Sequence, residues 1–206
     1  MSVVGVLLAG GLSRRMGGGD KNLLNLGNRP ILDHVIERVR GQVPTLILNA
    51  NGDPERFTYY GLPVVPDVID GYAGPLAGIL TGMDWAATHM PDASWLASFP
   101  TDAPFLPTDL VTQLLKAIDD HGADIACALS CDRTHPPIAV WPIRLRDELR
   151  RAMVDEEMRK IDRWTARYST VHVAFDDPDI DPFFNVNRPE NLKEAENYLL
   201  GLTGMA

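Results

Sequence analysis

Three observations on the 206-residue chain predict an α/β fold with a largely parallel sheet. Apolar runs of strand length alternate with stretches of helical apolar spacing from one end to the other, the pattern left by repeated strand–helix units. The first apolar run passes directly into a glycine-rich, basic segment, where a strand-to-helix connection belongs. Hydrophobic residues are 45% and charged residues 23% of the chain, globular values, and no apolar run approaches the roughly 18 residues that span a bilayer.

Taken in order, Val3 to Leu8 reads as the first strand. Pro30 sits at a first helical turn, and Ile31, Leu32, Val35, Ile36 and Val39 follow at helical spacing, which gives an amphipathic helix. Thr45 to Asn49 and Leu62 to Val65 are short strands. Pro75 starts a second helix with Leu76, Ile79, Leu80 and Met83 on one face, and Trp95 to Phe99 is a buried strand running into Pro100-Thr101-Asp102. Pro107 opens a helix through about Ala117, Asp124 to Leu129 is a strand, and Ile138 to Trp141 pairs with it or with a neighbour. Helical stretches follow at Leu145 to Met153 and Asp155 to Trp164, then a strand at Thr170 to Val173 and a last helix from Pro189 to Leu200. No internal repeat or linker interrupts this, so residues 1–206 are expected to form one domain.

The formal charge of −9 argues against binding to a nucleic-acid backbone, which needs a basic face. An anionic ligand must therefore be held by local positive charge. Cys127 and Cys131 match neither a CxxC redox pair nor a zinc site and read as plain thiols. Met1 leads straight into an apolar strand without a basic leader, so a cytoplasmic, membrane-free protein is expected.

In open α/β sheets ligands bind beyond the carboxyl ends of the strands, which puts the weight on Leu8 to Lys21. Glycines 10, 11, 17, 18 and 19 permit close backbone approach and expose N–H groups, while Arg14, Arg15 and Lys21 supply charge. That combination suits a triphosphate. It is not a Walker A loop, which requires GxxxxGK[ST], because Lys21 follows Asp20 and precedes Asn22; nor does a GxGxxG open a helix.

Asp102, at a strand end on the same rim, is placed to hold a hard, oxygen-loving Mg²⁺ that bridges phosphates, the alternative being a helix cap. Asp67 ends another strand on that rim and is read either as a contact to base or ribose or as a turn former, and Asn49 and Asn51 carry the same two readings. Asn185 and Asn187, one residue apart in an extended segment, point to one side and could grip a polar heterocycle; capping of the last helix is the other reading. His135, between Thr134 and two prolines, is placed in a loop and read as a structural group.

These residues together resemble the molybdenum cofactor guanylyltransferases. The opening LAGGxSxRMGGxDK is met at every defined position from Leu8 to Lys21, and the likeness continues through Asn49-Ala50-Asn51, Asp67, Gly74-Pro75-Leu76-Ala77-Gly78, Asp102, Arg133-Thr134-His135-Pro136 and Asn185-Val186-Asn187. The resemblance implies a three-layer α/β/α, Rossmann-like nucleotidyltransferase fold with a mostly parallel sheet. It implies transfer of GMP from GTP to the terminal phosphate of molybdenum-bearing molybdopterin, with release of pyrophosphate. It suggests GTP contacts at Leu8, Ala9, Gly10, Gly11, Lys21, Asn49, Asp67, Gly78 and Asp102, with Mg²⁺ on Asp102. Arg15, Lys21 and Asp102 would serve the reaction directly, and Asn185 and Asn187 would face the pterin. GTP and molybdopterin are the implied partners, and transient contacts with proteins that deliver or accept the cofactor fit the same role. One departure stands out: where relatives often carry an Arg-Arg pair for the pterin, this chain has Arg159-Lys160, and lysine lacks the bidentate geometry of arginine.

Two enzymatic rivals are a cytidylyltransferase for the same cofactor and a sugar- or polyol-phosphate nucleotidyltransferase. Gly10-Gly11 favours guanine by resemblance, since cytidylyl-transferring relatives typically carry Ala-Ala-Gly there. A non-catalytic GTP-binding regulator is the rival of a different class, and the absence of a Walker A lysine–serine pair speaks against it.

Overall fold

The computed structural model describes residues 2–10, 21–71 and 74–204. Strand β1 (Val3–Leu8) lies near the centre of the main sheet, flanked by β4 (Thr45–Asn49) and β6 (Trp95–Pro100), both parallel to it. β5 (Val64–Val65) extends the sheet parallel to β4. On the other side come β8 (Arg133–Pro142), β7 (Ile125–Ser130) and β9 (Thr170–Ala174). Among the described residues the order is β5-β4-β1-β6-β8-β7-β9, with β8 running against both of its neighbours and every other pair parallel.

Alternation along the strands explains the layering. Val3 and Leu7 of β1, Leu46 and Leu48 of β4, and Ala97 and Phe99 of β6 join one core with helices α1 (Ile31–Val39) and α3 (Leu110–His121). Val4 and Val6, Ile47, and Leu96 join a second core on the opposite face with α2 (Pro75–His89), α4 (Arg146–Asp155) and α5 (Ile161–Thr165). A period of two along strands buried on both sides builds three layers from one sheet. The last helix, α6 (Pro189–Gly204), contributes Ala195 to the first core.

The predicted α/β architecture with a mostly parallel sheet is the one observed, but four local readings are corrected. His135 is not in a loop: it lies within β8, which is far longer than the Ile138 to Trp141 segment and includes both prolines after it. Prolines are tolerated there because the register between β7 and β8 shifts at Cys127 and Ala128, where the ladder is already interrupted. α3 starts at Leu110, not Pro107, and runs to His121, where Gly122 at φ 62° closes it. The predicted helix from Asp155 to Trp164 is reduced to α5, because residues 156–160 leave helical geometry and Glu157 has φ 53°. Finally, Leu62 and Pro63 precede the short β5 rather than forming part of it.

One element carries no periodic signal: a hairpin of β2 (Asn25–Leu26) and β3 (Arg29–Pro30), immediately after the glycine-rich segment. His34 pins it to α1. Its Nε2–H donates to Leu26 O at 3.1 Å, and its Nδ1 accepts from Arg29 Nη2 at 3.2 Å, which requires the neutral ring with the proton on Nε2. Burial holds the His34 pKa below its ordinary value, in keeping with that role. Among the described residues no helix is long and apolar enough to cross a membrane.

Candidate active site

The parallel strands β1, β4 and β6 finish side by side, with Leu8 paired to Asn49 and to Pro100. Their carboxyl ends form the rim on which α/β sheets bind ligands. Two bonds fix the chain as it leaves β1: Ala9 N–H donates to Asn49 O at 2.9 Å, and Thr101 Oγ1 donates to Leu8 O at 3.1 Å. Gly10 then passes over a polar cluster. A Cβ there would stand 3.6–3.8 Å from Asn49 Oδ1, Asn51 Nδ2 and Asp67 Oδ2, so the cluster lies directly beside the backbone. Gly11, Arg14 and Arg15 lie outside the described residues.

The cluster is closed by amides. Asn49, 2% exposed, donates from Nδ2 to Val65 O at 3.2 Å and to Asp67 Oδ1 at 2.9 Å. Asn51 donates to Asp67 Oδ2 at 2.7 Å and accepts the Asp67 backbone N–H at 2.8 Å. Each oxygen of the Asp67 carboxylate therefore has one fixed donor and free lone pairs beyond it, an arrangement suited to donors on a base or a ribose. Thr81, buried in the otherwise apolar face of α2, donates to Ala77 O and accepts from Val68 N–H at 3.0 Å, which ties the loop after Asp67 to that helix. Sequence reasoning passed over Thr81, although a hydroxyl in an apolar helix was a visible signal.

Gly78 lies behind this cluster. A Cβ at Gly78 would come within 2.4 Å of Asn49 Oδ1 and 2.6 Å of Leu8 Cδ2, so glycine is what lets α2 approach the rim.

On the other side of β1, the chain ends meet. Lys21 opens a short 3₁₀ turn, Lys21–Leu23, and its Nζ donates to Asp102 Oδ2 and to Asn187 Oδ1, each at 2.6 Å. Asp102 is half-buried just past β6, and its carbonyl accepts the Val186 N–H at 2.8 Å. Val186 is fully buried between half-buried Asn185 and exposed Asn187, as alternation in an extended segment requires.

This geometry removes the capping alternative at two positions. Asp102 caps no helix, since α3 begins eight residues later, at Leu110. The Asn187 side chain turns to Lys21 rather than to α6; it is Asn191 Oδ1 that accepts the Asn187 N–H, at 3.3 Å. Arg159 is tied locally: its Nη1 donates to Met153 O at 2.7 Å and to Met158 O at 3.0 Å, at the end of α4.

A metal ion would find a particular donor set here. Among the described residues no three His, Cys, Asp or Glu side chains cluster as a metal cage. A single rim carboxylate such as Asp102, with Oδ2 paired to Lys21 Nζ, would give a hard divalent cation one oxygen and leave the others to phosphates and water.

A mostly parallel α/β sheet with a polar, lysine-bearing rim, in a chain whose sequence turns glycine-rich after the first strand, fits a nucleotidyltransferase. A family model described as a MobA-like NTP transferase domain matches residues 5–171. A molybdenum cofactor guanylyltransferase of Rhodopseudomonas palustris is 54% identical over 195 residues, covering 95% of this chain and 93% of the relative. One from a Bradyrhizobium strain is 53% identical, covering 95% and 92%. Among solved structures, molybdopterin-guanine dinucleotide biosynthesis protein A of Archaeoglobus fulgidus superposes with a TM-score of 0.76 at 23% identity, over 96% of this chain and 99% of that one. The chain belongs to the molybdenum cofactor guanylyltransferases, within the MobA-like NTP transferases.

Proposed function

We propose that the protein transfers GMP from GTP to the terminal phosphate of molybdenum-bearing molybdopterin, with residues 1–206 acting as one domain: its N-terminal part takes GTP and its C-terminal part takes the pterin. The carrying observation is that Lys21 of the glycine-rich segment meets the rim carboxylate Asp102 and the distant Asn187 at a single ammonium group. Donor-side and acceptor-side residues thus converge within hydrogen-bond reach, as a transfer between two bound substrates requires.

An oxygen of the pterin phosphate attacks the α-phosphorus of GTP in line. A new P–O bond forms, the bond from the α-phosphorus to the bridging oxygen breaks, and its electron pair leaves with pyrophosphate. The attacking phosphate has a second pKa of about 6 and is ionised at neutral pH, so no protein base is needed. The protein's task is positioning and charge neutralisation. Lys21 and Arg15, with the backbone amides of Gly10 and Gly11 in the loop after β1, serve the phosphates; Asn49 and Asp67 serve the nucleoside; Asn185 and Asn187 serve the pterin. Magnesium held by Asp102 would neutralise phosphate charge further.

A panel of the four nucleoside triphosphates with molybdopterin as acceptor, read by pyrophosphate release, tests the reading. GTP should be used and CTP should not. Asp102→Ala should fold and lose turnover by about 100-fold or more, the scale on which removal of one charge-stabilising group acts. Wild-type pyrophosphate release by that variant would overturn the role of Asp102.

A further inference from the structure

Three polar side chains that the transfer reaction does not use are built into one network at the end of β7. Ser130, 0% exposed, lies 2.8 Å from His135 Nε2 and 2.7 Å from Asp181 Oδ1. A serine has one proton and an ionised carboxylate has none, so the Ser130 hydroxyl donates to Asp181. The Ser130 oxygen is then left to accept from His135, whose proton must sit on Nε2. The result is a one-way series, His135 Nε2–H to Ser130 Oγ–H to the Asp181 carboxylate. Burial holds the His135 pKa below its ordinary value, with the Asp181 charge acting in the opposite sense.

The series ends where the acceptor-side segment begins. Asp181 Oδ1 also accepts the Phe183 N–H at 2.9 Å, and Asp181 O accepts the Phe184 N–H at 2.9 Å, which makes a tight turn over 181–184. Phe183, 1% exposed, closes the turn against the protein, its ring 4.8 Å from that of His135 and 5.6 Å from that of Phe175. After the turn, which ends at Phe184, come Asn185, Val186 and Asn187, which run to Asp102 O and Lys21. Asp176, Asp177 and Asp179 of the same acidic loop are exposed, whereas Asp181 turns inward to Ser130.

We infer that Ser130, His135 and Asp181 are positioning residues that set Asn185 and Asn187 for the phosphorylated pterin acceptor, and that they govern use of the acceptor without governing nucleotide binding. The inference rests on the proposed reading of Asn185 and Asn187 as acceptor-side groups. Loss of the Ser130 hydroxyl strands a buried N–H on His135 and removes a donor from Asp181, so the turn that aims the two amides loses its anchor.

The test uses full-length Ser130→Ala, Asp181→Ala and Asp181→Asn, each assayed for GTP affinity by calorimetry and for KM and kcat with molybdopterin. Ser130→Ala and Asp181→Ala should leave the GTP Kd within about twofold and lower kcat/KM for the acceptor by about tenfold, the scale of one or two lost hydrogen bonds. Asp181→Asn keeps an acceptor oxygen toward Ser130 and the Phe183 N–H, and it should restore most of that loss. Should Ser130→Ala fail to fold, the Asp181 pair carries the test, because that side chain belongs to a surface loop. Asn187→Ala separates the two layers. If it lowers acceptor kcat/KM while Asp181→Ala does not, the positioning role is wrong; if Asn187→Ala leaves the acceptor parameters unchanged, the acceptor reading is wrong and the inference falls with it. A parallel loss of GTP affinity in Asp181→Ala would equally overturn the inference.

Discussion

Replacing Gly78 with alanine tests whether the Asn49–Asp67 cluster serves the nucleotide. The new methyl would stand 2.4 Å from Asn49 Oδ1 and 2.6 Å from Leu8 Cδ2. Asn49 is 2% exposed and holds both Val65 O and Asp67, so it cannot swing aside without breaking those bonds. Overpacking costs about 1–3 kcal/mol, the two hydrogen bonds about 1 kcal/mol each, and the better helix propensity of alanine returns about 1 kcal/mol. The balance is a destabilisation of about 2–4 kcal/mol, which in a chain of this size lowers Tm by roughly 5–15 °C. Gly82→Ala is the control. One turn further along α2, its methyl would stand 2.9 Å from Leu96 Cδ1 and 3.1 Å from Val6 Cβ, an apolar clash that does not touch Asn49. Both variants should melt early, but only Gly78→Ala should also weaken GTP binding, by about tenfold for loss of the Asp67 orientation. Wild-type GTP affinity in folded Gly78→Ala, or equal losses in the two variants, would refute the assignment of this cluster to the nucleotide.

Two further outcomes follow from the geometry. His34 and His135 are both held below the ordinary 6.5 by burial, so the unfolded chain binds more protons than the native one as pH falls. Their stabilising effect is complete above pH 6.5 and is lost as the pH drops from there toward the folded values; urea midpoints should fall over that range, and less steeply in His34→Gln, whereas an identical slope in the variant would contradict the link. Arg159→Ala removes the donor to Met153 O and Met158 O and should cost about 1–2 kcal/mol in denaturant unfolding while leaving acceptor KM unchanged; a raised acceptor KM would return Arg159 to the pterin.

The layers were legible because they depend on local pattern. Strands buried on both faces read as continuous apolar runs, and amphipathic helices between them carry the 3.6-residue period. What failed to show had no period to show. The hairpin of β2 and β3 is two residues a side and is held by one histidine reaching back from α1, and the interior of β8 contains two prolines, Pro136 and Pro137, that propensity alone would exclude from a strand. By pattern alone His135 therefore reads as a loop residue. Its actual position between β7 and the acidic loop is what gives it partners, and those partners, Ser130 and Asp181, are separated from one another by 51 residues.

The site divides along the same line. Leu8, Asn49, Asp67 and Asp102 could be placed because each follows an apolar run, and in a parallel sheet the ends of such runs share a rim. Which polar groups touch across that rim depends on strand order, which periodicity does not encode. Lys21 and Asn187 are 166 residues apart, and they meet because β6 lies next to β1 and carries Asp102, whose carbonyl holds Val186. The Asn185-Val186-Asn187 segment is therefore positioned twice, by Asp102 at the rim and by the Ser130–Asp181 anchor behind it. In a chain with a formal charge of −9, any attraction for a second polyanion must be local. Local attraction is sensitive to small displacements of the few groups that supply it, and so the residues that hold such a segment in place matter to the transfer even where they touch neither substrate.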